Sequence, residues 1–280
     1  MKNKDVLSDH SISAIESVIE ANLIEYCRDY FKFIENAEIY DKKDIFYYYT
    51  RIPANVMNQV IRAQFTEENV ESNVARVIEY YTQREIPFSW LVGPSSTPQN
   101  LGDVLISQGL SNTEWDYPCM AIDLRVLDQG LLQEAIQRSG ISLNPVQNEK
   151  ELKLWSTFFI KDGYPEIWAN ALYDTAAPSL DQGTNAKMVN YLATLKDEPV
   201  GVSTVVFQAG VAGLYWVGTL QKHEKKGIGT ATTLAAFLNA RSRGYEIGIL
   251  HSTKWGYNLY SRIGFKTYFK YQNFTPSPKE

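Results

Sequence analysis

Cysteine and histidine are scarce in this chain. Its 280 residues hold two cysteines, Cys27 and Cys119, with no CxxC spacing, and three histidines, His10, His223 and His251, with no HxxxH pair. Zinc and thiol redox chemistry therefore find almost no ligands, and no metal is expected. Long apolar runs are missing too: no stretch of about 18 apolar residues could cross a membrane. The opening MKNKDVLSDHSIS has no apolar signal segment. The expectation is a reducing cytoplasm, both thiols packed as small core residues and no membrane partner. A surplus of positive charge is absent as well. Lys and Arg number 27 against 32 Asp and Glu, for a net charge of −5, which excludes a general polyanion-binding surface and a nucleic-acid partner. An anionic ligand must be met by a local site.

Aromatics, by contrast, are plentiful at 13%, with 18 Tyr and 6 Trp, and 44% of residues are hydrophobic. The length suggests nearly two domains. Apolar residues at Ile12, Ile15, Val18, Ile19, Leu23, Tyr26, Cys27 and Tyr30 keep helical spacing over 12–34. The segment 45–52 reads as strand, a helix lies within 67–82, a strand at 88–92, a short helix ends at Gln108, and a strand surrounds 120–124. The stretch 125–142 is weakly patterned. Beyond it come a strand at 141–146, helices around 149–160 and 165–173, and strands at 188–195, 200–207 and 213–218 joined by turn residues. A glycine-bearing loop then opens a helix that stops at Gly244, followed by a strand at 246–250, a helix at 255–262 and a last strand to Phe274. Strand, loop, helix, strand is a crossover unit, which favours a parallel pair.

One offset of 155 residues superposes Gly109-Leu110 on Gly264-Phe265, Gly93 on Gly248, Trp90 on Tyr245 and Leu105 on Tyr260. Two copies of one unit account for it economically. The copies differ where chemistry would sit: Lys225–Gly229 falls on Val70–Val74, and Tyr260 falls on a leucine.

Gly227 and Gly229 lie between a strand and a helix. Without Cβ atoms they let backbone N–H groups approach an anion, the helix N-terminus adds its positive dipole end, and Lys222, Lys225 and Lys226 add charge. Such a loop suits a pyrophosphate. A glycine-rich turn with solvated lysines would look the same locally, and the spacing is neither GxGxxG nor a P-loop.

The stretch from Val217 to Phe265 resembles the GNAT acetyltransferase superfamily. Its phosphate loop, roughly Arg/Gln-x-x-Gly-x-Gly/Ala, stands here as Glu224-Lys-Lys-Gly-Ile-Gly229, and its aliphatic-Tyr, three residues, Gly-Phe element as Leu259-Tyr260-Ser-Arg-Ile-Gly264-Phe265. Two departures are plain: Glu224 replaces Arg/Gln, and Thr253 stands where Asn is common. The resemblance implies an α/β (α+β) fold of two GNAT-like mixed-sheet units in tandem. Each would be a twisted, mostly antiparallel sheet with one parallel strand pair and flanking helices. The first, degenerate domain would cover 1–130 without a cofactor loop, and the catalytic domain 131–280. Acetyl-CoA would be the co-substrate. Val217, Gly218 and Thr219 would contact the pantetheine arm; Lys225, Lys226, Gly227, Ile228, Gly229 and Thr230 would wrap the pyrophosphate.

The implied activity is direct transfer of an acetyl group to a primary amine, small molecule or peptide, with Tyr260 protonating the leaving thiolate. Glu166, Asp162 and His251 are candidate bases, and Trp168, Tyr173, Tyr215 and Trp216 candidate acceptor-lining residues. A non-catalytic CoA-binding or regulatory protein of the same fold is the alternative, a structural protein with both copies inactive a third, and a homodimer is left open.

Overall fold

Each half of the chain builds a sheet that it does not complete by itself. The computed structural model describes residues 6–277. The first helix, α1 (Ile12–Tyr30), starts where the Ser11 hydroxyl accepts from the Ala14 N–H, and it buries Ile15, Ile19, Leu23, Tyr26 and Cys27. Then come β1 (Glu38–Asp41), β2 (Ile45–Tyr49), β3 (Gln59–Ala63), α2 (Val70–Thr82), β4 (Ser89–Val92), α3 (Leu101–Ser107), β5 (Leu110–Asn112) and β6 (Tyr117–Asp123). The second half holds α4 (Gly130–Ser139), β7 (Ser142–Pro145), α5 (Glu149–Lys161), α6 (Glu166–Ala176), β8 (Met188–Leu195), β9 (Glu198–Gln208) and β10 (Val211–Thr219). It ends with α7 (Ile228–Ser242), β11 (Ile247–His251), α8 (Tyr257–Ile263) and β12 (Lys266–Pro276).

The strands form one mixed sheet in the order β1-β2-β3-β4-β12-β6-β11-β10-β9-β8-β7, with β5 beside β12. Two pairs are parallel, β3 with β4 and β10 with β11, one in each half. The halves exchange their last strands. β6, from the first half, lies between β11 and β12, with Cys119 opposite His251 and Ala121 opposite both Ile249 and Lys266. The far end of β12 returns the exchange: Gln272–Phe274 pair with β4, and Phe274–Pro276 with β5.

Residue chemistry explains the layers. On one face of the second half, Leu234, Phe237 and Ala240 of α7 pack with Leu214, Leu250 and Phe265. On the other, α1, α5 and α6 cover the sheet through Ile19, Tyr26, Trp155, Phe158 and Trp168. The first half has its own core under α2, where Tyr81 is fully buried, stacks on Phe88 at 4.5 Å and donates to the Tyr48 carbonyl.

Four elements are absent from the sequence reading, among them the three-residue β5 beside β12. β1 is half exposed and short. β3 points Gln59 inward, where Tyr48 donates to its Oε1 and its own amide donates to Ser89, so its apolar pattern is broken by a satisfied polar residue. In the weakly patterned stretch stands α4, whose Leu132, Ala135 and Ile136 pack on Ile228 and Ala231 of α7 and which ends at Gly140 in the left-handed region.

The repeat holds as an order of elements but not as one rigid offset. Gly109 and Gly264 both follow the short helices with φ of +92° and +111°, the conformation that favours glycine. In the strands the register slips: Gly248 is inside β11, whereas Gly93 lies beyond β4. Insertions between matched strand and helix starts account for the slip.

Candidate functional site

The parallel pairing of β10 with β11 spans only Ala212–Leu214 against Gly248–Leu250. Past that point β10 runs on through Tyr215, Trp216, Val217, Gly218 and Thr219 with no partner on this side, and the sheet opens. A bulge between Tyr215 and Gly218 bends the strand away, with Trp216 at φ +51°, an unusual place for a bulky residue. The end of β10 is kept close to α5 by Gly218, where a built Cβ would come within 2.5 Å of Phe158.

The loop beyond β10 leads into α7. Lys225 and Gly227 take φ of +60° and +93°, and Gly227 is the N-cap. The Gly227 carbonyl accepts from the Ala231 N–H at 2.9 Å, while the N–H groups of residues 225–230 donate to no protein acceptor among the described residues. A row of free amides at the N-terminus of a fifteen-residue helix is an anion cradle. Lys225 and Lys226 are exposed, Ile228 is buried, and Gly229 and Thr230 are half-buried. Gly229 ties three parts together: a Cβ there would lie 3.2 Å from Leu259 of α8 and 3.5 Å from the Thr219 hydroxyl of β10.

The structure thus brings together the end of β10, the loop and the start of α8 around Gly229, with Val217, Gly218, Thr219 and residues 225–230 at the opening and Tyr260 next in sequence to Leu259 of α8 but itself buried. Glu224 is exposed, and its charge acts on Asp162 at the end of α5, whose carboxyl is raised by burial and then by that charge.

Tyr260 sits on α8 between Gly256, whose built Cβ would meet its ring at 2.6 Å, and Phe265 at 5.9 Å. Burial pushes its phenol well above the ordinary value, so it keeps its proton. Its hydroxyl makes no hydrogen bond to a described protein group. Thr253 holds the start of α8, its hydroxyl accepting from the Gly256 N–H at 3.3 Å.

Of the candidate bases, Glu166 is exposed in the first turn of α6, and Asp162 lies at the rim. His251, the last residue of β11, lies past its register with β10, with ring centroids 6.1 Å from Tyr215 and 5.8 Å from Tyr271. Its Nε2 is buried without a partner. Burial pulls its imidazole down to about 4. The native imidazole is therefore neutral over a range in which the unfolded chain, near 6.5, binds a proton, and stability must fall as pH drops through that range. Going from pH 7 to 5 should cost about 2 kcal/mol from this group. Urea unfolding of wild type and His251→Asn at both pH values checks it; equal losses in the two proteins would remove His251 as the source.

The aromatic candidates divide. Tyr215 donates to Asn22 Oδ1 at 2.7 Å and stacks on Tyr26 at 4.5 Å, and the Trp216 indole donates to the Tyr26 hydroxyl. Trp168 meets Trp216 edge-on at 6.0 Å. Tyr173 lies elsewhere, in a cavity of about 570 Å³ with Phe33, Asp174 and Asp181 that no residue of the loop before α7 lines. Helix α1 as a wall of this site was not readable locally, because Asn22 and Tyr26 meet β10 across nearly two hundred residues.

The corresponding opening in the first half is closed. The Thr97 N–H donates to the Ala63 carbonyl, the Phe65 N–H to the Thr97 carbonyl and the Gln64 amide to the Ser95 carbonyl, so residues 95–97 stitch across the end of β3. At the start of α2 the Asn69 and Val70 amides are taken by the Thr66 carbonyl. Leu105, in the position of Tyr260, is fully buried.

No protein-family model matches the chain, and no curated protein matches it in sequence. Solved structures do match in fold. A GCN5-related N-acetyltransferase from Kribbella flavida superposes with a TM-score of 0.68 at 16% identity, covering 97% of this chain and 98% of that one. A GCN5-related N-acetyltransferase from Sphaerobacter thermophilus gives 0.58 at 14%, covering 94% and 91%. A tandem GNAT protein from the clavulanic acid biosynthesis pathway gives 0.56 at 11%, covering 84% and 79%. The fold is the GNAT fold in tandem. Among the described residues no group of His, Cys, Asp and Glu is set to hold a metal, and no helix is long and apolar enough to cross a membrane.

Proposed function

We propose that the protein is an acetyl-CoA-dependent N-acetyltransferase that passes the acetyl group directly to a primary amine, using one site in its second half. The observation that carries this reading is the set of uncommitted amides at residues 225–230, opening α7 beside the free end of β10 and Tyr260. Those amides and the α7 dipole would hold the pyrophosphate, and the free edge at Val217, Gly218 and Thr219 the amide groups of the pantetheine arm. Acetyl-CoA supplies an activated thioester. The chain's own task is to align the amine with it, which alone lowers the barrier by several kcal/mol.

Tyr260 returns a proton to the departing sulfur. Burial raises its phenol, and the same desolvation makes a thiolate in that opening more basic, so donor and acceptor stay matched. His251, whose Nε2 is buried without a partner, is the group we assign to take the proton that the neutral amine nitrogen gives up as its bond to the acetyl carbon forms.

Incubation with acetyl-CoA and a broad panel of small-molecule and peptide amines, followed as free thiol, tests the reading. Amine-dependent thiol release supports it. Saturable binding of acetyl-CoA with no release for any amine would favour a non-catalytic CoA-binding protein, and no binding at all would end both readings.

A further inference from the structure

The loop carries a carboxylate, Glu224, and its three lysines are spread: Lys222 and Lys225 are exposed, and Lys226 donates to the Lys222 carbonyl at 3.3 Å. A cation from outside the loop occupies its centre. Arg138, in the last turn of α4, lays its guanidinium on Gly227: a Cβ built on that glycine would lie 2.6 Å from Nη2, 3.0 Å from Nε and 3.2 Å from Cζ. Among the described residues Arg138 forms no hydrogen bond and no ion pair. Its backbone is fixed, since Ala135 and Ile136 of the same turn pack against Ile228 and Ala231 at the start of α7, the Ser139 hydroxyl donates to the Ala135 carbonyl at 2.7 Å, and Gly140 ends the helix.

An arginine offers a planar fork of donors that matches phosphate oxygens two at a time. Here that fork is uncommitted and lies beside the N-cap whose amides are also uncommitted. We infer that Arg138 is a binding residue for the pyrophosphate of acetyl-CoA, a cation delivered by α4, the first helix of the second half, in place of one from the loop. The inference rests on the acetyl-CoA reading above and adds the residue that sets the affinity. Packing explains the register: α4 lies along α7, so its last turn ends level with the first turn of its neighbour.

Calorimetric titration with coenzyme A and with dephospho-CoA, which lacks the 3′-phosphate but keeps the pyrophosphate, tests it without turnover. Arg138→Ala should weaken both ligands about 10-fold, Arg138→Lys should recover part of the loss, and the salt dependence of binding should flatten in the alanine variant. The side chain is exposed and unbonded, so the melting temperature of Arg138→Ala should match wild type. Wild-type affinity in Arg138→Ala would overturn the inference and leave the cofactor reading intact. A loss seen with coenzyme A but absent with dephospho-CoA would overturn the pyrophosphate assignment by moving the contact to the 3′-phosphate. Failure of the wild type to bind either ligand would instead sink the cofactor reading itself.

Discussion

A Gly227→Val variant should bind acetyl-CoA at least about 100-fold more weakly than wild type while retaining its secondary structure. Gly227 stands at φ +93° as the N-cap of α7, a conformation that costs an L-residue roughly 1–2 kcal/mol and a β-branched one more. The added Cβ would point at the Arg138 guanidinium, 2.6 Å away, and the two methyl groups beyond it would fill the space in front of the free amides. Arg138 has the flexible end and can move aside, so the cost falls on the anion site more than on the core. Gly227→Ala separates the two effects: it keeps most of the backbone strain but removes the two outer methyls, and its affinity should lie between the others. Circular dichroism establishes that the helices persist, and calorimetry reads the affinity. Wild-type affinity in the valine variant would mean that the loop does not hold the phosphates.

Tyr260→Phe should lower kcat about 100-fold with acetyl-CoA affinity within about twofold of wild type. The ring stays in its seat against Gly256 and Phe265, and only a hydroxyl that bonds to no described protein group is removed, so folding stability should barely change. A purely structural tyrosine would give the opposite signature, with kcat unchanged. A matched fall in kcat and in kcat/KM would mark an interaction made only in the transition state.

The second half was largely legible because its chemistry is written locally. Gly227, Gly229, Tyr260, Gly264 and Phe265 lie within one strand-loop-helix-strand-helix run, and local motifs need no knowledge of distant partners. What the sequence left out is tertiary. Arg138 reaches Gly227 only because α4 packs along α7, and nothing near residue 138 announces that neighbour. The apolar run in Tyr117–Asp123 and the alternation in Lys266–Pro276 say that the strands are buried, but hydrophobicity does not name a partner, so the exchange between halves was invisible. The same holds for α1, whose apolar spacing reads cleanly as a helix while its Asn22 and Tyr26 meet β10 of the other half. The missing glycines and tyrosine of the first half were legible; the stitching by Thr97 across the end of β3 was not.

The exchanged strands also impose an order on assembly. During synthesis the first half emerges with β4 and β5 made but the strand between them missing, since that strand is Gln272–Pro276. The second half, by contrast, finds β6 waiting when β11 appears. Such pairings span well over a hundred residues, and contacts of that range form slowly because their loop entropy must be overcome first. The first half is therefore the last to become a closed sheet, and the same strand that finishes it begins directly after the helix carrying Tyr260. Completion of the first half and final seating of Tyr260 are, in folding terms, one event.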